Sequence, residues 1–225
     1  MKPPSARGAM LLLFDVAADA IDEHDAWHTH EHMPERLSIP GFLRGTRWTR
    51  ATPGPRYCVL YEVADLAVLD SPAYRARLDN PTPWTAKMMP HYVGMRRSLC
   101  EVVAGDGDGL GGACLLVTFA CAEGRSAELR QWLVADVVSS LSGRPGLAAC
   151  RLLENSQQAR MTREQSLRGR DGSVRSALWV SGYDVNAIAA LAEDDLCSAH
   201  LTRHGAEGID HAVFRLAYSL DAAGT

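Results

Sequence analysis

The residues Trp27-His-Thr-His-Glu-His-Met-Pro-Glu35 gather three of the chain's eight histidines around Glu31. Imidazole is the side chain whose proton moves near neutral pH, and histidines four apart on a helix offer acid/base groups along one face. His28 and His32 have that spacing, His24 extends it by one turn, and Glu31 lies beside them, able to fix a tautomer or form an ion pair. Pro34 is expected to end or kink the helix just after His32, because its ring removes a hydrogen-bond donor. The same i, i+4 pair is half of a metal site, yet the helical zinc signature HExxH is absent and no carboxylate or cysteine is obliged to complete it, so no metal is assigned.

Other residue types with chemistry lie further along. His91 and Tyr92 are adjacent and make an acid/base set for proton transfer at a phenol or carbonyl. Arg47 and Arg96 can neutralise a carboxylate or an enolate, since guanidinium keeps its charge when partly buried. In Asn80-Pro-Thr-Pro-Trp84 the two prolines predict an extended path that holds Trp84 as a rigid wall for a flat ligand.

The elements that must position these groups come from a repeat. Ala104-Gly-Asp-Gly-Asp-Gly-Leu-Gly-Gly112 is too rich in glycine to lie inside a helix or strand and reads as a linker over 105–112, between domains at 1–104 and 113–225. Sliding one half over the other by 105 residues brings Phe14 onto Phe119, Trp27 onto Trp132 and Pro40-Gly41-Phe42 onto Pro145-Gly146-Leu147. Both halves then read as strand, helix, Pro-Gly turn, strand, with third strands over 56–63 and 177–185 ending in Tyr61-Glu62-Val63 and Tyr183-Asp184-Val185. A second helix and a closing strand follow in each half. This is β-α-β-β-α-β twice, an α+β arrangement of two tandem ferredoxin-like units whose bare sheet faces pack against each other. The arginine-rich stretch over 157–173 reads as a solvated hairpin loop of the second half.

The repeat also marks what is unusual about the first helix. Leu133, Val134, Val137, Val138 and Leu141 share one apolar face at about 100° per residue. Their counterparts 105 residues earlier are His28, Thr29, His32, Met33 and Arg36. Polar groups where the twin has core imply a polar cavity above the sheet that would take a small ligand. The competing arrangement is a rotated helix, with Ala26, His30, Met33 and Leu37 inward and the other histidines in solvent.

Trp27 with Glu31, His32, Pro34 and Glu35, followed by Pro40-Gly41-Phe42 and Arg47, resembles the W-x-x-x-E-H-x-P-E and PGF signature of EthD-like members of the dimeric α+β barrel superfamily. Asn80-Pro-Thr-Pro-Trp-Thr85 is similar to a second motif of an uncharacterised bacterial subgroup of it. The resemblance implies two ferredoxin-like domains packed sheet to sheet as an intramolecular dimeric α+β barrel. It also implies a range of activities: lyase, cyclase, cofactor-free monooxygenase or haem enzyme.

Composition narrows the partners. A net charge of −4 without a long basic run gives no electrostatic footprint for nucleic acid or an anionic membrane. The longest early apolar run, Met10 to Phe14, is too short for a signal-peptide core or a span, and the six cysteines show no metal-ligand spacing, so a cytoplasmic protein with reduced thiols is expected. The sequence therefore predicts a cofactor-independent enzyme acting on a small aromatic or polyketide-like carbonyl compound. Its acid/base groups are drawn from His32, His28, Glu31, His91 and Tyr92, and substrate contacts from Trp84, Arg47 and Arg96. The expected partners are a small-molecule ligand and a second copy of the chain, as a homodimer. A non-catalytic small-molecule-binding or scaffold protein, and a metal- or haem-dependent oxygenase, are the alternatives.

Overall fold

Each half opens with an apolar run that alternates between two buried sides, and both runs are strands. A computed structural model, which describes residues 6–50, 52–157 and 162–223, has β1 at Gly8–Val16 and β5 at Ala113–Cys121. After β1 come α1 (Ile21–Trp27), a π-helical turn (His28–His32) and α2 (Met33–Leu37). β2 (Phe42–Thr49), β3 (Tyr57–Val63), α3 (Pro72–Asp79), α4 (Pro83–Met88) and β4 (Tyr92–Asp106) complete the first half. The second half runs through α5 (Ser126–Trp132), a π turn (Leu133–Val138), α6 (Ser139–Leu141), β6 (Leu147–Gln157) and α7 (Arg163–Arg168). It ends with β7 (Ser176–Gly182), α8 (Val185–Ala190), α9 (Ser198–Arg203) and β8 (Ala206–Asp221).

The fold is α+β. Hydrogen-bonded neighbours run β4-β1-β3-β2 and β8-β5-β7-β6, the same order in each half. β3 pairs antiparallel with β1 and β2, and β7 does so with β5 and β6. Pro-Gly turns bring the chain back to β2 and β6, and glycine is required there. Gly41 sits at φ +94°, and a Cβ on it would lie 2.5 Å from Val68 Cγ2.

The chain divides into two compact units whose boundaries differ from the expected 1–104 and 113–225. One comprises Ala6–Cys100, Ser156–Ser173 and the chain from Ala217; the other comprises Glu101–Asn155 and Val174–Leu216. β4 continues to Asp106, so the first two residues of the expected linker are strand. In the first unit the end of β8 lies beside β2, where Arg44 Nε donates to Asp221 at 2.6 Å and Ala222 N–H donates to the Leu43 carbonyl.

The segment between β6 and β7 joins antiparallel neighbours and is largely exposed, as expected of a solvated hairpin loop, but it also carries a helix with two buried residues; residues 158–161 of that reading lie outside the described residues. Thr162 caps α7 by accepting from Gln165 N–H, and α7 buries Glu164 and Gln165 within the first unit. The register explains its origin. Gly8 pairs with Val63 and Ala113 with Gly182, so an offset of 105 residues at the first strands has become 119 at the third. The extra length is this segment. It also corrects the alignment of Tyr61-Glu62-Val63 with Tyr183-Asp184-Val185: β7 ends at Gly182, Asp184 caps α8, and Tyr183 is 71% exposed while Tyr61 is buried.

Of the two outcomes expected at Pro34, an end or a kink, the helix does not end there. The chain stays helical from Ile21 to Leu37, with Pro34 in the first turn of α2. In the π turn the Met33 N–H reaches back five residues to the His28 carbonyl. The ladder is already stepping where the proline nitrogen has no proton to give, so the cost of the missing donor is small.

In the first unit Met10 and Phe14 of β1, Tyr57, Val59, Tyr61 and Val63 of β3, and Met95 and Leu99 of β4 form one core with Trp27, Met33 and Leu37 of the helix. These positions alternate along each strand, as residues on a single sheet face must. The intervening Leu11, Leu13, Cys58 and Leu60 are buried as well. Among the described residues no helix is long and apolar enough to cross a membrane.

Candidate functional site

The first helix presents its histidines to the core of its own unit. His24, His28 and His32 are 0, 1 and 7% exposed, whereas His30 is exposed. The rotated arrangement is thereby overturned: Met33 and Leu37 are buried as it required, but so are the three histidines it placed in solvent. The twin positions Leu133, Val137, Val138 and Leu141 are buried too. At three of these buried positions His28, His32 and Arg36 stand where the second half has Leu133, Val137 and Leu141.

The three rings form a ladder, with centroids 5.6 Å apart from His24 to His28 and again from His28 to His32. Aromatic rings surround it. Trp27 lies 4.4 Å from His32, Tyr57 4.8 Å from His24, and Tyr92 5.5 Å from His24 and 4.6 Å from Phe14. Tyr61 O–H lies 3.3 Å from His28 Nε2, and His24 Nδ1 lies 3.3 Å from Asp25 Oδ1. His24 Nε2, His28 Nδ1 and His32 Nδ1 are buried with no protein partner. A buried polar atom left so costs roughly 1–3 kcal/mol, which a bound polar molecule would recover.

Burial holds the imidazoles neutral. It pushes His28 and His32 well below the usual histidine value, and neighbouring positive charge adds to this, from Arg47 and Arg36 at His28 and from Arg36 at His32. His24 is lowered as well, by burial, although Asp25 pulls the other way. The same burial raises Tyr61 and Tyr92, so both phenols keep their protons. Neutral imidazole beside protonated phenol is a set of bases and acids ready for proton transfer.

The positive charges of two guanidinium groups act on His32. Arg36 is fully buried and bonded to Glu164 of α7 and, at 3.0 Å, to Glu35. Arg168, also on α7, is held by both oxygens of Asp171 at 3.0 and 2.7 Å, and its charge acts on His32 and Tyr92. Arg97 of β4 points into the same core, donating to Tyr74 Oη at 3.1 Å and to Met10 Sδ at 3.4 Å.

The residues singled out from sequence separate into two groups. His28, His32 and Tyr92 come together in the ladder. Glu31 does not touch it: its Oε1 accepts from Trp27 Nε1 at 3.2 Å, from Thr82 Oγ1 at 2.6 Å and from Thr85 Oγ1 at 3.4 Å, tying the helix to the start of α4. The carboxylate beside a histidine is Asp25 instead. Arg47 is buried against the helix backbone, donating to the Asp25 carbonyl and to Thr29 Oγ1, both at 3.1 Å. Arg96 runs past Gly172 while its neighbour Arg97 faces the core, as strand alternation demands.

Trp84 is not on an extended path, because Pro83 opens α4 with Thr82 as its cap, a placement proline favours. It donates to Glu23 Oε1 at 3.2 Å, and His91 acts on that same Glu23 rather than on the ladder. Among the described residues no group of three or more His, Cys, Asp or Glu side chains is placed to hold a metal ion.

Sequence reasoning missed Tyr61, Asp25, Glu164 and Arg168. Tyr61 was recoverable, since it shares strand parity with Tyr57 and Val59. Glu164 and Arg168 carried no local signal, because they lie more than 120 residues beyond the helix they meet.

No family model matches the chain, and no curated protein matches it. Solved structures do. An anthrone oxidase-like protein is 12% identical with a TM-score of 0.67, covering 98% of this chain and 95% of its own. A protein of Fusobacterium nucleatum described as a candidate monooxygenase is 9% identical with a TM-score of 0.63, covering 98% and 97%. Another so described, from Lactobacillus acidophilus, is 8% identical with a TM-score of 0.62, covering 96% and 97%. At these identities the likeness is one of fold.

Proposed function

We propose that the chain is a cofactor-independent enzyme that moves a proton at a small aromatic or polyketide-like carbonyl compound. His32 is the base, and His28, held by Tyr61, is its neighbour in proton transfer. Arg168 and Tyr92 steady the oxyanion that forms on the carbonyl oxygen. The observation that carries this reading is the ladder of buried, neutral imidazoles with unpartnered nitrogens, with the buried guanidinium of Arg36 one turn away and the positive charge of Arg168 acting on His32. A neutral base can accept a proton, and fixed positive charge in a site poor in water stabilises the negative charge left behind. Aromatic walls from Phe14, Trp27, Tyr57 and Tyr92 suit a flat substrate.

The reading includes the finer architecture: two tandem ferredoxin-like repeats of the EthD-like kind, the second having lost its polar helix face. The repeated strand order and the π turn at matching places in both helices support it. The names of the structural neighbours, oxidase-like and monooxygenase, favour a small-molecule enzyme over a scaffold.

The test is a thermal-shift screen of wild type and His32→Val against phenols, aromatic acids and short polyketide mimics. A compound at about 100 times its Kd adds roughly 2.7 kcal/mol to the folded state. One class is expected to stabilise wild type and not the variant. No stabilisation by any class, or a Soret band in the purified protein, overturns the proposal.

A further inference from the structure

The two halves fill the space between helix and sheet differently. In the first, strand pairing sets Phe14 opposite Tyr57, and the two rings stack at 5.2 Å with planes 20° apart. Tyr92 meets Phe14 from the closing strand at 4.6 Å. In the second half the same pairing sets Phe119 opposite Ser176. The closing strands correspond through a shared backbone bond, Ala17 N–H to the His91 carbonyl and Ala122 N–H to the Gly205 carbonyl, so Ala206 stands where the first half has Tyr92. Leu129 likewise replaces the ring of His24 with an aliphatic side chain. The second half thus lacks both phenol rings that pack on the phenylalanine. In their place is a cavity of about 450 Å³ lined by Phe119, Leu129, Leu133, Arg130, Glu154 and Ser176, all of one compact unit. Pockets that take small molecules have volumes of about 300–1,000 Å³.

We infer that this cavity binds a phenol, whose ring stacks on Phe119 as Tyr57 stacks on Phe14 and whose hydroxyl lies between Arg130 and Glu154. The first half shows what the space accepts, because there the chain supplies a phenol of its own. Tyr57 O–H crosses to the helix and donates to Asp25 Oδ1 at 2.9 Å. The helix residue at that place in the second half is Arg130, whose Nε donates at 3.1 Å to Glu154, the strand partner of Ser176. A guanidinium donates and a carboxylate accepts, and a hydroxyl is the group that can answer both. A carboxylate in its place would meet the negative charge of Glu154, and a bare ring would leave both without the contact. Phe119 offers an aromatic face, and Leu129 and Leu133 an aliphatic floor, to the ring itself. The residues of this site belong to the other unit from the histidine ladder, and the inference does not rest on the reading of His32.

The test uses p-cresol, the tyrosine side chain as a free molecule, with toluene and p-toluate as its comparisons, each titrated by calorimetry. Wild type is expected to bind p-cresol about fivefold more tightly than either, from the hydrogen bonds that only the hydroxyl makes at both groups. Ser176→Tyr puts back the residue of the first half and fills the cavity, and is expected to weaken p-cresol binding by about tenfold or more. Nuclear Overhauser contacts from the p-cresol ring to the methyls of Leu129 and Leu133 locate it in wild type, so the inference stays decidable should Ser176→Tyr fail to fold. No binding of p-cresol overturns the inference, as does binding that a folded Ser176→Tyr leaves unchanged. Loss of binding in His32→Val alone, or contacts to other methyls, places the phenol elsewhere and overturns it too. Toluene or p-toluate bound as tightly as p-cresol overturns the assignment of a phenol.

Discussion

Replacing His28 by leucine and His32 by valine gives the first helix the residues its twin carries at 133 and 137. The effect of that change on acid stability can be worked out from burial alone. Both imidazoles are held well below the usual histidine value when folded, while in the unfolded chain they titrate near 6.5. Below that value the unfolded state binds more protons than the folded one, so stability is complete above it and is lost as the pH falls through it. Between pH 7.5 and 5.5 a histidine that stays neutral when folded costs about 1.4 kcal/mol, and the two together about 2.7 kcal/mol. Urea denaturation of both proteins at the two pH values isolates this effect, because all other titrating groups are common to them. The wild type is expected to lose about 2.7 kcal/mol more than the variant, a difference of roughly 1 M in urea midpoint. Equal losses would mean that the imidazoles are hydrated or charged in the folded state. The ladder would then not be a set of neutral bases.

Two further predictions concern the frame around the site. Glu164→Ala strips the buried Arg36 of its main partner and should cost about 3–5 kcal/mol in the same assay, while Arg36→Leu with Glu164→Leu should recover most of that loss, since a buried pair replaced by apolar groups is often near neutral. Gly41→Ala forces a side chain into positive φ against Val68 and should cost about 1–3 kcal/mol by thermal melting, whereas Gly143→Ala, with nothing within 4 Å and no positive φ, should change little.

The order of strands and helices was legible because it is written locally. Apolar runs, Pro-Gly turns at one offset and a helix-length face each depend on residues within a few positions of one another, and periodicity records them. The inward polar stripe was legible for the same reason, through a twin that shows what an ordinary core helix would carry there. Proline chemistry misled twice. A π turn ahead of Pro34 removed the conflict expected of it, and Thr82 made Pro83 the first residue of a helix. What no local pattern could contain was the partner of each charge. The extra segment of the second half brings Glu164 to Arg36 and Arg168 toward His32 across more than 120 residues of chain. The choice of Asp25 rather than Glu31 as the carboxylate beside a histidine depended on which way each side chain leaves the helix once α4 is packed against it. The sequence alone determined that one helix face would be polar where its counterpart is apolar; only the tertiary structure decided that this face is buried and which groups keep it neutral, because long-range packing, not spacing along the chain, sets desolvation and charge at a buried imidazole.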